Sequence, residues 1–209
     1  MDYQKRIEKV RDVLDKKDIP AVIIKDPSNI FYLTGLLEIE GVLVIDRKGT
    51  TLFVPSLYYQ ETVDLLPLNI ESIVYKKSTL KTFLKRYKKV GFIGTDLTFS
   101  TYMSMSKEHK LVLLPDFLKK IRMVKETEEI VLIKKALEIN RKVLKDIRAY
   151  IENGEEETVI AGRIHYLIRR YGGRREAFEP IVASGIASSY PHHKNRNIKI
   201  EKGSPVVVD

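Results

Sequence analysis

A chain of 209 residues, 31% charged and 44% hydrophobic, has enough apolar material for one large domain or two modest ones, which excludes a disordered tail. The absence of cysteine excludes disulfides and thiolate metal sites, and no apolar run approaches the roughly 20 residues that span a bilayer. The formal charge of +9 admits an acidic partner. Its densest basic stretch is Lys81, Lys85, Arg86, Lys88 and Lys89, but glutamates intersperse most of the rest and no aromatic-basic ladder for stacking bases is present. A solvated surface is therefore expected in preference to a nucleic-acid interface. Met1 to Arg6 lead straight into an amphipathic pattern with no secretory core, so a cytoplasmic protein is expected.

Ile7, Val10, Val13 and Leu14 recur at helical spacing until Ile19-Pro20 stops the pattern. Ala21 to Ile24 predict a short strand; Asp26 to Asn29 have turn or cap chemistry, followed by a short segment, Ile30 to Leu33, ending at Gly35. Gly41 to Asp46 and Thr51 to Val54 flank Arg47-Lys48-Gly49 and predict a hairpin. Further strands are expected over 70–75, 90–93 and 111–114, separated by helices near 58–66, 80–87 and 99–108. Such alternation argues for an α/β layer domain ending near Pro115, with the domain boundary at 115–124. Residues 125–152 then predict one long helix with the stripe Ile130, Ile133, Leu137, Leu144, Ile147 and Ile151, capped by Thr127 and closed at Gly154. A second helix places Ile160, Ile164, Leu167, Ile168 and Tyr171 on one face and closes at Gly172-Gly173. Strand-like segments follow at 180–183 and 206–209.

Two stretches carry candidate chemistry. In the first, a buried strand, Ile181 to Ala183, opens onto Ser184 and Gly185, small residues that allow close backbone approach. The loop then presents a histidine pair, His192-His193, braced by Pro191. Two loop histidines alone are equally compatible with surface imidazoles in a turn. The second stretch is a turn, Glu201 to Ser204, and a strand, Pro205 to Val208, expected to be buried, that delivers Asp209. A carboxylate ending an apolar strand is costly unless paired or bound to a cation, but a chain terminus can also fray. By itself this segment decides nothing.

Taken in order, Arg122-Met123-Val124-Lys125, Glu129-Ile130, Ile133, Ala136, Phe178, Ile181, Ala183-Ser184-Gly185, Pro191-His192, Gly203 and Asp209 resemble the pita-bread metallopeptidases, in particular Xaa-Pro dipeptidases (prolidases) and Xaa-Pro aminopeptidases. The resemblance covers nearly the whole chain. It implies a creatinase-type α/β N-terminal domain over 1–118, a mixed sheet with flanking helices. A linker at 119–124 would lead to the truncated α+β start of a pita-bread domain over 125–209. It further implies that His192 contacts the substrate or the tetrahedral intermediate, and that Asp209 is the first carboxylate ligand of a centre holding two divalent ions (Mn, Co, Zn or Fe). The substrate would be an Xaa-Pro peptide, cut at the bond preceding proline, and the enzyme a homodimer with no membrane attachment.

The sequence departs from the family pattern in three places. Ser204-Pro205 stands where Asp and an apolar residue are usual, and His193 where glycine is common. A second Asp, a His and two Glu are needed downstream of Asp209, and the sequence contains none there. One carboxylate cannot hold two metal ions, so the 209-residue polypeptide is expected to bind none and to be inactive alone. A peptidase-like binding module without hydrolysis is the rival expectation.

Overall fold

The computed structural model describes residues 1–209 except Leu68, Thr95 and Asp116. It comprises two compact units, Met1–Lys125 and Glu126–Asp209.

In the first unit, helix α1 (Tyr3–Lys16) starts where the Asp2 carboxylate accepts the Lys5 N–H at 2.9 Å, and buries Ile7, Val10 and Leu14. Strand β1 (Ala21–Ile24) follows. The segment read as a turn and a short stretch is a full helix, α2 (Pro27–Thr34). Asp26 accepts the Asn29 N–H at 2.8 Å, Pro27 sits in the first helical turn, and Gly35 ends the helix at φ +79°. Strands β2 (Val42–Asp46) and β3 (Thr50–Val54) form the expected hairpin, whose turn is held by the Asp46 carboxylate accepting the N–H groups of Lys48 and Gly49. Then come α3 (Ser56–Leu65), β4 (Glu71–Val74), α4 (Lys77–Leu84), β5 (Lys89–Ile93), α5 (Phe99–Met105) and β6 (Lys110–Leu114). Helix α4 begins three residues before the apolar pattern does, because the Thr79 hydroxyl accepts the Lys76 N–H and caps it.

The six strands form one mixed sheet in the order β4-β3-β2-β1-β5-β6. β1, β2 and β3 pair antiparallel, whereas β3–β4, β1–β5 and β5–β6 pair parallel. The two-residue period of the central strands divides their side chains between two cores. Val22, Ile24, Leu43, Ile45, Leu52 and Val54 join α1 and α2 on one face. Ala21, Ile23, Val42, Val44 and Phe53 meet Leu80, Phe83 and Leu84 of α4 on the other. A central strand covered on both faces reads as a continuous apolar run, which is why Ala21 to Ile24 lack alternation. The stretch expected as a linker, 119–124, is helical through Met123 as part of α6 (Phe117–Met123). Leu118 of that helix is buried in the first core, with Phe117 and Ile121 packed against it.

In the second unit, α7 (Thr127–Glu152) is capped by Glu126, not Thr127; the Glu129 side chain accepts the Glu126 N–H at 2.9 Å. Helix α8 (Glu157–Arg170) buries Ile160, Ile164, Leu167 and Ile168 against Val143 and Ile147 of α7. The expected stripe on α7 is only partly used: Ile147 is 1% exposed, whereas Ile130, Ile133, Leu137 and Leu144 are 43%, 47%, 56% and 53% exposed. Helix α8 has 14 residues against 26 in α7, too few to cover the longer helix within this unit. Strands β7 (Val182–Ser184) and β8 (Val206–Val208) pair antiparallel. β8 was expected to be buried, but Val207 is 44% exposed, because among the described residues β8 pairs with β7 alone.

Candidate functional site

The chemistry of the second unit gathers around a carboxylate that the sequence does not single out. Glu157 opens α8, where the helix dipole favours an anion, and its residue is fully buried. Backbone hydrogen bonds fix this end of the helix: Glu157 N–H donates to the Ile198 carbonyl and Thr158 N–H to that of Arg196. The Glu157 side chain accepts four hydrogen bonds. Its Oε1 takes the Ser184 N–H at 2.9 Å and the Ser184 hydroxyl at 2.7 Å. Its Oε2 takes the His193 Nε2 at 2.8 Å and the Arg196 N–H at 3.0 Å, with the Arg196 Nε at 3.6 Å. An ionised carboxylate only accepts, so His193 Nε2–H is the donor in this bond. Burial alone would raise the Glu157 pKa, but the bonds from His193, Ser184 and Arg196 outweigh it and hold it at about 2.

Ser184 therefore serves as a double donor to Glu157, more than as a small residue permitting close approach. Gly185 has φ +58° with open space where a Cβ would stand, so it answers a backbone demand and not a packing one. After the 3-10 helix Gly185–Ser189, the chain returns through Tyr190-Pro191-His192-His193. Asn195 clasps it to the strand side, its Oδ1 accepting the Val182 N–H at 2.7 Å and its Nδ2 donating to the Pro180 carbonyl at 2.8 Å.

The two residues of the histidine pair differ in environment. The His193 side chain is 5% exposed and bound to Glu157. His192 is exposed, and its ring makes no hydrogen bond among the described residues. It lines a depression of about 650 Å³ together with His165, Phe178, Pro180, Ile181 and Lys194. Beside that depression the His165 ring contacts Glu176 at 2.7 Å and Glu179 at 3.4 Å, and Arg169 donates to Glu176 at 2.6 Å. Glu176 is held at about 2, first by its own backbone N–H, against partial burial, and then by Arg169 and His165.

Asp209 continues the hairpin past β8: its N–H donates to the Ile181 carbonyl at 2.9 Å, and the Ile181 N–H returns to the Asp209 carbonyl at 2.8 Å. Its residue is exposed and lines a second depression, of about 480 Å³, with Val143, Ile147, Ile168 and Val208. His192 and Asp209 thus line different depressions, which share Phe178 and Pro180 as wall residues. Among the described residues no three His, Asp or Glu side chains are grouped to hold a metal ion. Among the described residues no helix is long and apolar enough to cross a membrane.

Sequence reasoning singled out His192 and Asp209 through motif order and passed over Glu157. Glu155, Glu156 and Glu157 are alike in sequence, and only the register of α8 selects the third.

Residues 6–124 match the creatinase/prolidase N-terminal domain, and residues 131–209 match metallopeptidase family M24. The Xaa-Pro dipeptidase of Pyrococcus furiosus is 31% identical over 211 residues, an alignment covering 99% of this chain and 60% of that protein. The Xaa-Pro dipeptidase of Pyrococcus horikoshii is 28% identical over 98% of this chain and 59% of its own length. Among solved structures, the prolidase from Pyrococcus furiosus superposes with a TM-score of 0.86 at 31% identity, covering 97% of this chain and 64% of that one. The prolidase from Pyrococcus horikoshii OT3 gives 0.87 at 28% identity over 98% and 60%. The chain spans about 60% of the length of the curated relatives it matches.

Proposed function

Because this chain belongs to the creatinase/prolidase family of M24 metallopeptidases, we propose that it is the N-terminal part of a metal-dependent exopeptidase that hydrolyses the bond preceding proline in Xaa-Pro peptides. His192 faces the substrate in this reading, and Asp209 contributes one carboxylate to a centre of two divalent ions, Mn, Co, Zn or Fe. The family pattern calls for further carboxylate and histidine ligands besides Asp209. The observation that carries the proposal is the joint placement of the motif residues from Glu129 to Asp209 in one unit. The β7–β8 ladder sets Asp209 level with Ile181, and the Phe178–Pro180 wall is common to the depressions beside Asp209 and His192. A homodimer in the cytoplasm belongs to the same reading.

A polypeptide limited to residues 1–209 would supply Asp209 alone from the family's ligand pattern, where a dinuclear centre needs several bridging and terminal ligands, so it does not turn over substrate in this reading.

The test is proline release from an Xaa-Pro dipeptide by the native protein, with Mn or Co added, removed by chelator and restored. Activity should follow the metal, and His192→Ala should lower kcat by about 100-fold or more. Proline release indifferent to both chelator and His192→Ala would overturn the proposal. Peptide binding without hydrolysis would favour the binding-module reading instead.

A further inference from the structure

We propose that Glu157 is the positioning residue of this site, fixing where His192 presents its ring. The inference rests on the reading that His192 faces the peptide, and it adds what holds that histidine in place. His192 has no tether of its own: its residue is exposed and its ring is unbonded among the described residues. The segment that bears it leaves β7 at Ser184, turns through Gly185–Ser189 and comes back at His193 to Arg196. Glu157 grips that excursion at both ends. One oxygen holds Ser184 by its N–H and hydroxyl, and the other holds His193 by its ring and Arg196 by its N–H.

Four donors fill the acceptor capacity of the carboxylate, so any displacement of the loop must break a charge-assisted bond in a buried place. The grip on His193 lies one residue from His192, closer than the clasp made by Asn195. A glycine in place of His193 could not form this bond, so the ring of His193 tightens the hold on its neighbour. Glu157 lies in the first turn of α8, whose apolar face is locked into the unit's core by Ile160, Ile164 and Leu167. The anchor is therefore a rigid element, and the loop borrows its rigidity.

The experiment measures backbone 15N order parameters and imidazole resonances in the protein and in Glu157→Gln, Ser184→Ala and His193→Gly. A merely structural role lowers the melting temperature and leaves the surviving folded molecules unchanged. The positioning role predicts that, well below melting, order parameters at His192, His193 and Lys194 fall from about 0.85 to below about 0.6 in Glu157→Gln, while those of α7 hold. The His192 ring signals should shift with them. Ser184→Ala and His193→Gly, which each remove only part of the grip, should give smaller changes in the same residues. They also supply the test should Glu157→Gln not fold. Order parameters and ring signals at His192 unchanged in every folded variant would overturn the proposal. None of these readouts requires hydrolysis, so a native protein that, supplied with Mn or Co, shows the loosening but releases no proline sinks the peptidase reading and leaves the positioning role standing.

Discussion

Replacing Glu157 by glutamine and following stability from pH 7 down to pH 2 probes the buried network through its protons. An ordinary glutamate has a pKa of 4.5, and in this fold Glu157 is held at about 2. A carboxyl depressed by folding contributes stability that is fully present above the ordinary value and is lost as pH falls through the folded one. At about 1.4 kcal/mol per pKa unit, the contribution is about 3 kcal/mol near neutrality. A second route gives the same size. Glutamine offers one acceptor oxygen, and its amide group faces donors, so Arg196 N–H or His193 Nε2–H is left unpaired at about 1–3 kcal/mol each. Urea unfolding followed by NMR through the Ser184 and Ile164 amides should place the variant about 3 kcal/mol below wild type at pH 7. The gap should persist to about pH 4.5 and close progressively toward pH 2. Glu176, also held at about 2, titrates in both proteins and cancels in the difference. A gap that stays constant down to pH 2 would refute the reasoning.

Three further outcomes follow from the packing. Asp96 is 5% exposed; one oxygen accepts the Asp26 N–H at 3.0 Å and the other has no partner among the described residues. Burial, with the Asp26 charge adding to it, raises its pKa. Asp96→Asn keeps the acceptor and removes the charge, so urea melts at pH 7 should show the first unit gaining about 1 kcal/mol. That gain should vanish once acid protonates the wild-type carboxyl. Gly35→Ala forces a Cβ onto a backbone at φ +79° and within 2.6 Å of the Tyr3 hydroxyl, and should cost about 1–2 kcal/mol in the same measurement. On α7, Ile147→Ala should cost about 2–5 kcal/mol, whereas Leu137→Ala should stay within about 0.5 kcal/mol, as differential melting curves of the two variants would report.

The fold was legible wherever local chemistry and burial agreed. The β2–β3 hairpin announces itself through Arg47-Lys48-Gly49, and α8 through an apolar face and a glycine stop, both local signals. Helix α2 was harder, because Asp26-Pro27 serves equally as turn chemistry and as a helix start, and only the burial of Ile30 and Leu33 against the sheet resolves it. The α7 stripe misled for a different reason. Periodicity reports which face is apolar, not how much of it a shorter partner can cover. Motif order singled out His192 and Asp209 as candidates. It did not single out Glu157, since its partners Ser184, His193 and Arg196 lie far along the chain and its glutamate neighbours are chemically identical to it.

The strand order of the first unit also bears on how the chain is made. β1 lies at the centre of the sheet, yet its neighbour on one side comes from the next hairpin and on the other from Gly91 and Phe92. At about 5–20 residues per second, a ribosome delivers the second neighbour several seconds after the first. Throughout that interval an apolar edge, Ala-Val-Ile-Ile, stands ready to pair with any extended peptide nearby. A nascent chain arrested before β5 should therefore bind holdase chaperones that release it once β5 emerges.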